Sequence, residues 1–124
     1  IEAGRAMPAQ ELRRALSIRT QLREELSDAF AFTKTDFLLT PTTPRAAMRL
    51  EKLDPSADLV TIIPFTCGFN ITGNPAISVP CGLTGNRLPI GLQIVGRHYT
   101  ENALRNVAMQ YQSLTGWHEK RPPL

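Results

Sequence analysis

Proline and glycine limit this chain more than any other feature. It holds ten prolines and eight glycines in 124 residues, and most of them fall between residues 41 and 96. Proline removes a backbone donor and fixes φ, and glycine marks turns, so that stretch must be built from short elements joined by defined turns. Long helices belong to the two flanks. After Pro8, which suits a first helical turn because its missing N–H has no partner there anyway, Leu12, Ala15, Leu16, Leu22, Leu26, Ala29 and Phe30 recur at roughly helical spacing. This predicts an amphipathic helix from residue 8 to about 31, with Arg and Glu on its outer face. Near the other end Thr100 is a good N-cap, Ala103, Leu104, Val107, Ala108, Tyr111 and Leu114 make an apolar face, and Gly116 suits the left-handed position that ends a helix.

Between the flanks the elements are short. Phe37-Leu38-Leu39-Thr40 stops at Pro41-Thr42-Thr43-Pro44, as expected of a fully buried strand in a sheet covered on both faces. Residues 43–57 read as loop, and 59–63 as strand or helix. Residues 65–72 read as a helical turn ending at Gly73. Ala76-Ile77-Ser78-Val79 is a strand candidate closed by Pro80 and Gly82. Ile90-Gly91-Leu92-Gln93-Ile94-Val95 is another, ended by Gly96. The turn signal Gly85-Asn86 lies between them, so they are expected to pair antiparallel. Three or four strands and only two long helices make an incomplete α/β layer, one partial domain spanning residues 1–124, with sheet edges left open.

Composition excludes several classes. The net charge of +3 comes largely from Arg5, Arg13, Arg14, Arg19 and Arg23, with Lys120 and Arg121. Glu11, Glu24 and Glu25 are mixed among the helical arginines and no aromatic platform accompanies them, so a solvated face is expected and no nucleic-acid partner. No apolar run approaches the roughly 20 residues that span a bilayer, so no membrane partner is expected. Cys67 and Cys81 lack CxxC or zinc-finger spacing, which suggests free thiols in a reducing, cytoplasmic setting, with a disulfide left open. A cysteine hydrolase pairing either thiol with His98 or His118 is disfavoured. Cys81 reads as a small buried or half-buried thiol, His98 as a surface residue and His118 as packed with Trp117. No metal or cofactor site is expected, since two His and two Cys show no ligand spacing and residues 82–91 lack phosphate-loop order. Glu24 and Glu25 are adjacent on a helix and point about 100° apart, so they do not make an acid/base pair. The opening Ile1-Glu2-Ala3-Gly4 has neither an initiator Met nor a signal-peptide pattern, and the chain reads as a fragment or processed subunit.

Three blocks then carry a resemblance. Asp36-Phe37-Leu38-Leu39-Thr40-Pro41-Thr42-Thr43-Pro44 is similar to a strand and proline turn found late in amidase-signature enzymes. Phe69-Asn70-Ile71-Thr72-Gly73-Asn74-Pro75-Ala76-Ile77-Ser78-Val79-Pro80-Cys81-Gly82 resembles that family's C-terminal block, and Leu88-Pro89-Ile90-Gly91-Leu92-Gln93-Ile94-Val95-Gly96-Arg97 the strand after it. The resemblance covers nearly the whole chain and implies the C-terminal part of that family's mixed β-sheet, layered between helices. It also implies a parent activity of carboxylic amide hydrolysis through a serine, a second serine in a cis peptide bond, and a lysine. All three lie upstream in the family pattern. Ser17, Ser27, Ser56, Ser78 and Ser113 sit in no Gly/Ser-rich loop, and Lys34, Lys52 and Lys120 have no serine motif at the family spacing. No catalytic residue is therefore expected in this chain.

The same resemblance brings the stretch before and through residues 70–75 close to the acyl side of the active site. It offers Phe65, Thr66, Cys67, Phe69 and Asn70 as pocket-wall candidates, and Asp58 as an acidic group for a substrate ammonium. The bland alternatives are core positions for Phe65 and Phe69, a loop-tying hydrogen bond for Asn70, and a surface carboxylate for Asp58. The expected partners are a small amide substrate in the intact parent, and either the missing N-terminal portion or a second copy at the open sheet edges. A stand-alone binding or oligomerisation module is the competing reading.

Overall fold

Alternation along one strand organises the middle of the molecule. The computed structural model describes residues 4, 6–52, 54 and 60–121. Strands β1 (Phe37–Pro41), β2 (Ala76–Leu83) and β3 (Pro89–Gly96) form one antiparallel sheet in the order β1-β3-β2. Leu39 and Ile77 both lie opposite Ile94, and Val79 lies opposite Leu92. Successive side chains point to opposite faces, so Ile77, Val79, Leu92, Ile94 and Phe37 share one face. Helix α3 (Glu101–Thr115) packs there through Leu104 and Ala108, with Val107 and Tyr111 beside them. The α/β expectation of three or four strands is met, with three among the described residues.

Both edge strands depart from the sequence reading. β1 was expected to be fully buried. It is an edge strand with Leu39 63% exposed, because α3 covers the β2–β3 side of the sheet. β2 was expected to close at Pro80, yet it runs to Leu83 through a register shift between Pro80 and Gly82. An edge strand tolerates proline where its missing N–H faces no neighbour, and a bulge absorbs the extra residue.

The β2–β3 loop is a three-residue hairpin. Arg87 N–H bonds the Thr84 carbonyl at 2.8 Å and Thr84 N–H bonds the Leu88 carbonyl at 2.8 Å. Arg87 adopts φ 62°, the left-handed residue that such a loop needs after its first turn. Gly85 and Asn86 announced the turn, but its strained position falls on Arg87.

The chain divides into two compact units, residues 1–35 and 36–124. The first is helix α1 (Ala9–Thr33), which begins just after Pro8. Arg13, Arg14, Arg19, Arg23, Glu11, Glu24 and Glu25 are all exposed, as predicted, and Phe30 is its buried residue. Leu12, Leu16, Ile18 and Leu22 are each between 40 and 50% exposed. Lys34 ends the helix in the left-handed region at φ 53°. α3 ends at Gly116, also left-handed at φ 62°, as expected. Thr100 occupies the N-cap position of α3, but its hydroxyl does not cap. It donates to the Arg97 carbonyl at 2.7 Å instead. Trp117–Glu119 forms a short 3-10 turn with Trp117 half-buried. No described helix is long and apolar enough to cross a membrane.

Candidate functional site

The second face of the sheet is built differently from the first. On β3 the side chains that alternate with Leu92 and Ile94 are Gly91, Gln93 and Val95. Val95 is fully buried, and Gln93 is buried at 4% exposure. Thr40 and Ser78 flank Gln93 in register on the neighbouring strands. Gln93 Nε2 donates to Thr40 Oγ1 at 2.9 Å. Beyond it, Thr42 Oγ1 and Ser78 Oγ share a hydrogen bond of 2.6 Å that spans the central strand. The bridge passes where a side chain on Gly91 would stand, since a Cβ there would lie 2.7 Å from Thr42 Oγ1 and 2.9 Å from Ser78 Oγ. Only glycine at that position leaves room for the two edge hydroxyls to meet.

Helix α2 (Pro64–Thr72) carries five of the predicted pocket residues: Phe65, Thr66, Cys67, Phe69 and Asn70. Pro64 opens it as the first helical residue, and Gly73 ends it at φ 78°, so the expected helical turn becomes a nine-residue helix. Its two ends are tied to β3. At the start, Gln93 Nε2 donates to the Phe65 carbonyl at 2.7 Å. At the end, Asn74 N–H reaches back to the Phe69 carbonyl at 3.2 Å, and the Thr72 hydroxyl donates to Asn74 Oδ1 at 2.8 Å. Asn74 Nδ2 then donates to the Gly96 carbonyl at 2.9 Å, while Gly96 N–H bonds the Pro75 carbonyl at 2.9 Å.

These bonds revise two readings. The loop-tying amide is Asn74, because Asn70 lies on the exposed side of α2 while Asn74 follows the helix end and faces β3. Phe65 is not a core residue, since it is 37% exposed, and Phe69 is half-buried. Thr66 is half-buried, with its hydroxyl donating to the Ile63 carbonyl at 3.2 Å. Cys67 is half-buried with its thiol 3.7 Å from the Pro64 carbonyl. Asp58 lies outside the described residues. Gln93, Thr40 and Asn74 were not singled out from sequence. The available signal was one uncharged polar residue, Gln93, set among Leu92, Ile94 and Val95.

Elsewhere, an open hollow of about 390 Å³ is lined by Thr43, Arg45, Ala46, Ala47, Met48, Ile62 and Pro89, and it shares no residue with α2. Cys67 and Cys81 are both free and half-buried, as read for Cys81. His98 was expected on the surface. It is half-buried instead, and its Nε2 is enclosed with no hydrogen-bond partner among the described residues. His118, expected to pack with Trp117, is exposed and lies 4.0 Å from Glu119. Among the described residues no three His, Cys, Asp or Glu side chains gather as a metal site would require.

Known proteins share this fold. The amidase family model matches residues 1–104. A glutamyl-tRNA(Gln) amidotransferase subunit from Thermodesulfovibrio yellowstonii is 37% identical over 113 residues, which are 90% of this chain and 23% of that protein. The corresponding protein of Dechloromonas aromatica is 41% identical over 93 residues, 74% of this chain and 19% of that protein. Among solved structures, an amidase superposes with a TM-score of 0.80 at 26% identity, covering 92% of this chain and 27% of its own. A 6-aminohexanoate cyclic dimer hydrolase gives a TM-score of 0.65 at 30% identity, with 83% and 24% covered. The chain spans less than a third of each of these proteins. With a family model matching most of its length, and the strand, proline-turn and glycine blocks in order, the chain belongs to the amidase family.

Proposed function

We propose that this chain is the C-terminal part of an amide hydrolase, and that it contributes sheet strands and one wall of the substrate pocket while the hydrolytic groups lie outside it. The observation that carries this reading is α2. It is a short helix bearing Phe65, Thr66, Cys67 and Phe69, tethered at both ends to the sheet, with aromatic surface left uncovered at Phe65. Small-molecule pockets combine such apolar walls with a few fixed polar groups. The parent chemistry is nucleophilic attack by a serine on a carboxylic amide, with backbone amides holding the oxyanion. Two serines of this chain are engaged in ways that support leaving them out of that role. The Ser78 hydroxyl is bonded to Thr42, and that of Ser113 donates to the Gln110 carbonyl at 2.8 Å. The relatives' names include both amidotransfer and hydrolysis, so the substrate is assigned only as a small carboxylic amide. The unpaired thiols of Cys67 and Cys81 favour a cytoplasmic setting.

The test is amide turnover by the purified chain, with ammonia release from benzamide and glutamine as the readout. No release above the buffer rate is expected. Turnover that disappears on substituting a serine or lysine of this chain would refute the assignment.

A second reading has its own observation. Leu39 is exposed on an edge strand, and unpaired strand edges are templates for association. In that reading the chain is a binding module that pairs with a second copy. Sedimentation separates the two. A monomer across the accessible concentration range rules out edge pairing, whereas a concentration-dependent dimer abolished by Leu39→Lys supports it.

A further inference from the structure

We infer that Gln93 is a positioning residue for the substrate pocket, its side-chain amide holding the Phe65 carbonyl and with it the first turn of α2 over the polar face of the sheet. The inference rests on the reading of α2 as pocket wall. A primary amide buried to 4% exposure, on the face it shares with the fully buried Val95, is unfavourable unless its hydrogen bonds are made. Gln93 makes them to two other elements. One N–H goes to Thr40 on β1 and the other to Phe65 on α2. A carbonyl only accepts, so the nitrogen must face Phe65, which fixes the orientation of the amide. The bond uses the backbone of Phe65 and leaves its ring, 37% exposed, available to a ligand.

The second tether makes the placement specific. Gln93 holds the start of α2, and Gly96 holds its end through Asn74. From Phe65 to Thr72 the helix rises about 10 Å at 1.5 Å per residue. From Gln93 to Gly96 the strand advances about 10 Å at 3.4 Å per residue. The anchors therefore match in span, and α2 cannot slide along the sheet without breaking one of them. Releasing Gln93 keeps the Asn74 tether at the far end of the helix and loosens the turn that carries Phe65, Thr66 and Cys67.

The experiment is a titration of the chain with benzamide, followed by NMR at the backbone amides of Phe65, Thr66 and Cys67, with thermal midpoints recorded for every variant. Wild type is expected to show saturable shifts there with the same affinity at about pH 5 and about pH 8. Gln93→Met, which keeps the length but not the donor, should bind roughly tenfold more weakly. Thr40→Val, which removes one of the two bonds, should bind roughly threefold more weakly. Gln93→Glu supplies the readout that a general packing role would not move. Burial and the facing Phe65 carbonyl both disfavour its charged form and raise the pKa of its carboxyl. The carboxylate repels that carbonyl at about pH 8 and the protonated form donates an O–H at about pH 5, so binding should be lost at the higher pH and recovered at the lower. Equal affinity in all variants, or a Gln93→Glu protein indifferent to pH, overturns the inference and leaves the pocket standing. No shift at these amides in wild type refutes the pocket reading, and the inference with it. If Gln93→Met does not fold, Thr40→Val and the pH response of Gln93→Glu decide the matter.

Discussion

Gly91→Ala tests whether the polar face of the sheet depends on a missing side chain. The new methyl would stand 2.7 Å from Thr42 Oγ1, 2.9 Å from Ser78 Oγ and 3.1 Å from Thr42 Cβ. The Ser78 hydroxyl can rotate away. Thr42 cannot clear the methyl by rotation alone, because its Cβ is fixed to a backbone that bonds Gly91, Thr42 N–H to the Gly91 carbonyl at 2.9 Å. Overpacking of this kind costs about 1–3 kcal/mol. Loss of the hydroxyl bridge adds about 0.5–1.5 kcal/mol. Replacing glycine by alanine within a strand returns roughly 0.5–1 kcal/mol of backbone entropy. The net destabilisation should be about 1–3 kcal/mol, read as a fall in the urea midpoint with unchanged slope. A double-mutant cycle identifies the cause. In a Thr42→Ala/Ser78→Ala background, of the three nearest contacts the two under 3.0 Å are gone and the 3.1 Å one remains. There the same substitution should cost less than about 1 kcal/mol. An undiminished cost in that background would refute the account.

Three further predictions use the same denaturation assay. Lys34→Gly and Arg87→Gly each relieve a left-handed residue at φ 53° and 62° and should each stabilise by about 1 kcal/mol. No gain at either site would mean that side-chain contacts outweigh the backbone strain. Asn74→Ala breaks the link from Thr72 to Gly96 and should destabilise by about 1–3 kcal/mol. Amide exchange should quicken first at Gly73 and Asn74, whose N–H groups bond Phe69. Ile94→Ala removes a side chain at 1% exposure from the face covered by α3 and should cost about 2–5 kcal/mol, with equal loss of β-sheet and α3 signals across one transition.

What the sequence made legible was set by neighbours a few residues apart. Gly73 and Gly116 end helices in the left-handed region because that geometry is local to each turn. The β2–β3 hairpin follows from Gly85-Asn86 between two apolar runs, and the family from three ordered blocks of side chains. Burial was less legible because it depends on what covers a strand. Phe37-Leu38-Leu39-Thr40 has the composition of an interior strand, yet it lies at the sheet edge with Leu39 exposed. The polar architecture was least legible of all. Gln93 meets the carbonyl of a residue 28 positions earlier, and Thr42 meets Ser78 across 36. No periodicity connects such pairs, since the register of three strands decides them together. A one-residue slip of β1 against β3 would turn Thr40 and Thr42 to the apolar face and leave the amide of Gln93 buried without its threonine. Hydrogen bonding on one face and hydrophobic packing on the other therefore select the same register. That places the tether for α2, like the core beneath α3, among the forces that specify the sheet.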